Sequence, residues 1–89
     1  MSDGNDGGLP EIRKKVTKIW TDVLAVAPGE ENATFFELNG ESISATRIAS
    51  RVDEEFGVWI EVADIFEDDP TLEDFIRTVA SRVTSTSAA

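Results

Sequence analysis

Three apolar stripes at helical spacing, separated by turn-forming residues, limit this 89-residue chain to a small helical fold. Ile12, Val16, Ile19, Val23 and Leu24 recur at intervals of mostly three or four, as do Ala45, Ile48, Ala49, Val52 and Phe56, and then Leu72, Phe75, Ile76, Val79 and Val83. Residues so spaced share one face of a 3.6-residue helix, and such faces leave water by packing on one another. Pro10 suits the first turn of the first helix, which the pattern predicts to end before Pro28-Gly29. A second helix is predicted from Ser42 to about Phe56, closed by Gly57. Asp69-Pro70-Thr71 opens the last helix, where Thr71 and Asp74 resemble a capping box with Asp in place of Glu.

Between these helices, Val58-Trp59-Ile60-Glu61-Val62 alternates like a strand but has no partner strand. It is read as an extended connection with Val58, Ile60 and Val62 inward and Trp59 outward, followed by a short third helix through Ala63, Ile65 and Phe66. The long loop from Ala27 to Glu41 needs anchors, which Phe35 or Phe36 and Leu38 can supply. The expected fold is all-α: a small four-helix bundle with a long loop between helices one and two and a short third helix. Residues 1–8 are expected to be a disordered tail, 9–83 the folded domain and 84–89 a flexible C-terminal tail. There are no internal repeats.

Composition removes most chemistry. Cys and His are both absent, so disulfides, thiolate nucleophiles, common zinc sites and Ser-His or Cys-His pairs are excluded, and catalysis by this chain alone is not expected. The residues show no bilayer-length apolar run and no basic leader, and a cytoplasmic location is expected. Net charge is −10, with Arg47 and Arg51 the only basic residues from Glu30 to Asp74. Nucleic acid and anionic membranes are poor partners for such a surface. The acidity reads either as a solvated face or as a face that docks on basic enzymes.

Ser42 is the candidate functional residue. Asn39-Gly40 forms a turn whose residues both tolerate positive φ, and it delivers one serine to the start of an amphipathic helix. The hydroxyl there serves as a helix cap, as a place of covalent attachment, or as both. Free phosphate is a poor ligand: a carboxylate such as Glu37 or Glu41 about 5 Å away costs on the order of 1–3 kcal/mol, against about 0.3–1 kcal/mol returned by a helix N-terminus. Ser44 falls inside the helix and reads as an ordinary surface serine. Ile43 lies on the polar side with Arg47, Ser50 and Glu54, so it is either a partner contact or packs beneath the preceding loop. Trp59 carries the same two readings. Arg47 and Arg51 either steady an acidic group or bond to nearby carboxylates. The cluster Glu67, Asp68, Asp69, Glu73 and Asp74 lacks the spacing and central Gly of a calcium loop, and no metal site is expected.

Taken in order, Phe-Phe-x-Leu-x-Gly-x-Ser, a helix, Phe-Gly-Val, and Ile-Phe-(x)3-Pro-Thr-Leu resemble the acyl and peptidyl carrier proteins of nonribosomal peptide and polyketide synthesis. The similarity runs from Ile12 to Val83, and the Phe pair with Trp20 leans toward the peptidyl type. The resemblance implies that Ser42 carries a 4'-phosphopantetheine arm, transferred from coenzyme A by a separate phosphopantetheinyl transferase with Mg2+, and that the arm's thiol holds an acyl or aminoacyl thioester. Such a chain is no enzyme but a tethered shuttle, which works by raising the local concentration of its cargo. Where the family usually has Gly-Gly followed by Asp or His, this chain has Asn39-Gly40-Glu41, a departure that bears on which transferase or partner is preferred.

The reading is therefore a stand-alone, monomeric peptidyl-type carrier, loaded by an adenylation or other loading enzyme and served by condensation, ketosynthase or tailoring enzymes. Glu41, Ile43, Arg47 and Trp59 are its partner-contact candidates. The alternatives are a discrete polyketide-type acyl carrier and an acidic helical interaction module that is never modified.

Overall fold

The computed structural model describes residues 8–88 and consists of four helices: α1 (Leu9–Leu24), α2 (Ser42–Phe56), α3 (Val62–Asp68) and α4 (Leu72–Ala88). Helix α1 packs on both α2 and α4, and α3 packs on α2. The only β pairing among the described residues is an isolated antiparallel bridge between Thr34 and Thr71, so the fold is the expected all-α bundle. The predicted N-terminal tail, apart from Gly8, and the final Ala89 lie outside the described residues.

The core forms where the three stripes meet. Trp20 is at its centre, 1% exposed, with its ring 6.3 Å from that of Phe35 and 5.5 Å from that of Phe75. Ile19, Ile48, Ile60, Ile65 and Ile76 close around these rings. Burying a side chain of this size contributes about 1.5–3 kcal/mol, and the core contains no buried polar residue. Outside it, the guanidinium of Arg13 forks onto both oxygens of Glu73, tying α1 to α4.

Helix α1 ends before Pro28-Gly29 as its pattern predicts, and it does so already at Leu24. Ala25 takes the left-handed conformation there (φ 53°), and its N–H donates to the Thr21 carbonyl. The last helix departs from the expectation: it passes its final stripe residue, Val83, and continues through Ala88 over the stretch expected to be a tail. α2 keeps its predicted bounds, with Gly57 at φ 71° as its C-cap. The connection before α3 buries Val58 and Ile60 and leaves Trp59 44% exposed, as the alternation implies.

Candidate functional site

The position of Ser42 is set by the loop before it. Phe35 drops its ring fully into the core, while its N–H donates to the Pro70 carbonyl at 2.8 Å. The Phe36 N–H donates to Asp69 Oδ1 at 2.7 Å, so the loop is held along the α3–α4 turn. Thr34 and Glu37 cap each other: the Thr34 N–H donates to Glu37 Oε1 at 2.8 Å, and the Glu37 N–H donates to Thr34 Oγ1 at 3.2 Å. The Gly40 N–H then returns to the Phe35 carbonyl at 2.9 Å.

The turn pair divides its work differently from the sequence expectation. Positive φ is carried by Asn39 (63°) and not by Gly40. Gly40 is required by close approach instead, since a Cβ there would lie 2.5 Å from the Phe35 ring. The anchor under the site is thus a phenyl ring seated against a bare Cα.

The N-cap of α2 is Glu41, in extended conformation (φ −134°, ψ 175°), and it makes no side-chain capping bond. Ser42 stands one residue past the cap, which removes the capping reading of its hydroxyl. That hydroxyl is exposed and makes no hydrogen bond among the described residues, while the Ser42 carbonyl accepts from Thr46 Oγ1 at 2.9 Å. The first intrahelical bond runs from the Ala45 N–H to the Glu41 carbonyl. The N–H groups of Ser42, Ile43 and Ser44 therefore have no helical acceptor and give this end of α2 a positive character. An unbonded, exposed hydroxyl beside outward N–H donors fits a covalently attached phosphate ester.

The structure brings Glu41, Ser42, Ile43 and Arg47 together on the first turns of α2. Ile43 is 69% exposed, which excludes packing beneath the loop. Arg47 is exposed and has no ion pair among the described residues, whereas Arg51 reaches Asp22 at 3.7 Å. Trp59 does not join them: it follows the far end of a 15-residue helix, a rise of roughly 22 Å from Ser42, and its carbonyl accepts from Arg82. Ser44 is not an ordinary surface serine either. It is half-buried beside Val23, Leu24 and Leu38 in a cleft of about 360 Å³.

Sequence reasoning does not mark Phe36 and Phe66 as site residues. They are 44% and 41% exposed and meet edge to face at 5.3 Å, forming an aromatic ledge on the loop that leads to Ser42. The available signal is the doublet itself, because two successive aromatics on a tight turn cannot both enter one core. The acidic residues after α3 have structural uses: Asp69 binds the Phe36 N–H, and Asp74 binds the Thr71 N–H. Among the described residues no group of Asp and Glu is arranged to hold a metal ion, and no helix is long and apolar enough to cross a membrane. Two carboxyls lie below the ordinary glutamate range, both away from Ser42. Glu73 is lowered chiefly by its hydrogen bond from Arg13, and Glu31 by its own N–H and that of Gly29.

Residues 14–79 match the family model described as "Phosphopantetheine attachment site". The chain is 40% identical over 73 residues to phosphinothricin tripeptide synthetase PhsC of Streptomyces viridochromogenes, covering 82% of this chain and 7% of that protein. It is 39% identical to a linear gramicidin synthase of Brevibacillus parabrevis, over 74% of this chain and 1% of the relative. With nonribosomal peptide synthetase 1 of Aspergillus fumigatus it shares 33% identity over 82% of its length and 1% of the relative's. The chain thus spans only a small fraction of these relatives. No solved structure matches it.

Proposed function

Since the chain belongs to the phosphopantetheine-attachment family of carrier domains, we propose that Ser42 is its attachment residue and that it works as a peptidyl-type carrier. The observation that supports this most directly is the free Ser42 hydroxyl at an uncapped helix start. Two of the relatives, from Streptomyces and Aspergillus, are peptide synthetases by name, which favours an aminoacyl or peptidyl cargo.

In the loading step the Ser42 oxygen attacks the phosphorus that bears the pantetheine unit of coenzyme A. An Oγ–P bond forms, the pyrophosphate P–O bond breaks, adenosine 3',5'-bisphosphate leaves, and the hydroxyl proton passes to a base of the transferase. This chain has no His or Cys to take that proton, which is consistent with a carrier acted on by a separate enzyme and not catalytic itself. The protein's part is positional. Phe35, Gly40 and the bonds to residues 69 and 70 hold the turn, and the outward N–H groups at the start of α2 favour the ester's negative charge. Once attached, the arm supplies a terminal thiol that carries the cargo as a thioester. Loading, condensation and tailoring enzymes then meet the carrier around Ser42, with Glu41, Ile43 and Arg47 as contacts.

The test is mass spectrometry after incubation with coenzyme A and a broad-specificity phosphopantetheinyl transferase. Wild type and Ser42→Ala should differ completely, the first gaining one arm and the second none, while Ser44→Ala should be modified like wild type. An arm on the Ser42→Ala protein would overturn the assignment.

A further inference from the structure

On a chain of net charge −10, the outer side of α2 beside Ser42 has the opposite sign. From Ser42 to Val52 the helix carries Arg47 and Arg51 and no carboxylate. Across from it on α1, Asp22 is already engaged by Lys18 at 3.2 Å and by Arg51 at 3.7 Å, and Arg47 has no ion pair among the described residues. Three cations therefore share one carboxylate. Asp22, Val23, Thr46, Arg47, Ser50 and Arg51 line a shallow depression of about 350 Å³ here, and Ile43, 69% exposed, stands one turn before Arg47. The nearby carboxylates of Glu37 and Glu41 precede Ser42 on the loop.

At physiological salt, exposed charges more than about 8 Å apart are largely screened. A docked surface meets the local sign and not the net charge of the chain. Any enzyme that reaches the Ser42 hydroxyl has to cover the first turns of α2, since Ile43 is the next residue and Arg47 lies one turn beyond it.

We propose that Ile43, Arg47 and this depression dock an acidic, partly apolar patch on the transferase that modifies Ser42. Ile43 loses its exposed surface against the apolar part, Arg47 takes a transferase carboxylate, and Arg51 stays held by Asp22 at the rim. This inference rests on the Ser42 reading and reverses the expectation that acidic residues of this chain seek a basic enzyme.

The experiment is steady-state arm attachment from coenzyme A by a broad-specificity transferase at low salt, comparing wild type with Arg47→Glu, Arg47→Lys and Asp22→Asn, each checked for helical content. Arg47→Glu should raise the KM for carrier roughly three- to thirtyfold, because reversal replaces an exposed attraction by a repulsion of similar size. Its kcat should stay within about twofold, and Arg47→Lys should behave like wild type. Asp22→Asn removes the depression's one carboxylate and should lower KM. If Arg47→Glu leaves KM unchanged or lowers it, as docking through the acidic surface would require, or if its loss falls on kcat, the proposal is overturned. Failure of the Ser42 assignment looks different: wild type itself would gain no arm, or the arm would sit elsewhere.

Discussion

Helices α2 and α4 both begin after a tight turn, yet only one of them is closed by its own side chains. At α4 the Thr71 hydroxyl accepts from the Asp74 N–H at 3.2 Å, and the Asp74 carboxylate accepts from the Thr71 N–H at 3.3 Å. At α2 the cap residue is Glu41, which bonds to none of the free N–H groups, and the serine that follows keeps its hydroxyl unbonded. The helix start that carries the reactive group is held from outside, by the Phe35 ring under Gly40 and by the loop's bonds to the α3–α4 turn. A cap local to α4 serves stability alone. At α2 the support is displaced into the neighbouring loop, so the hydroxyl is fixed in place without being used in fixing it.

The sharpest way to break this contrast is to attack the external support. In Gly40→Ala the new methyl would sit 2.5 Å from the Phe35 ring, and that ring is confined between Trp20 and Phe36. Overpacking of this kind costs about 1–3 kcal/mol, which lowers the thermal midpoint of a domain this size by roughly 5–20 °C. Arm attachment should slow as well, because the turn that presents Ser42 has to shift. An unchanged midpoint would show that the ring relocates without cost and that Gly40 is not the support described.

A smaller effect is expected at the other helix. Thr71→Ala removes a reciprocal cap and should cost about 1 kcal/mol, read as a fall of several degrees in the midpoint. Attachment at Ser42 should stay within about twofold of wild type, since the bridge from Thr34 to residue 71 is made by backbone atoms. A slowed attachment with no loss of stability would mean that the two helix starts are coupled through that bridge and that the contrast is too sharply drawn.

How far the site can be read from the sequence follows the same division between local and distant causes. The bounds of α2 and the Thr71–Asp74 cap depend on residues close in sequence, so their patterns announce them. The exact end of α1 is not announced, because Ala25 adopts φ 53° with none of the glycine that usually marks such a cap. The extension of α4 is equally silent: residues 84–88 carry no apolar stripe, and a helix already started needs none to propagate one more turn. At the site, Ser42 is legible from its motif, and Ile43 from its place opposite the core stripe. The role of Gly40 is not legible, because the ring that demands a bare Cα arrives only when the loop folds back. Arg47 stands unpaired only because α1 places Asp22 within reach of Arg51 and Lys18 instead, a fact of tertiary packing with no trace in the local sequence.

The smallest change tests whether the open start of α2 leaves stability unused. Glu41 has the extended backbone of an N-cap, but its side chain makes no bond to the free N–H groups of Ile43 and Ser44. Asp is a preferred residue at such a position, since its shorter carboxylate can accept from them. Glu41→Asp should therefore raise stability by about 0.5–1 kcal/mol, a gain of roughly 2–8 °C in the midpoint, with no change in net charge. In the arm-bearing protein the gain should be smaller, because the phosphate ester and the new carboxylate draw on the same N–H groups and repel each other. Equal gains in both forms would mean that the phosphate does not use this end of α2, and no gain in either would mean that the Glu41 backbone does not hold the capping geometry in solution.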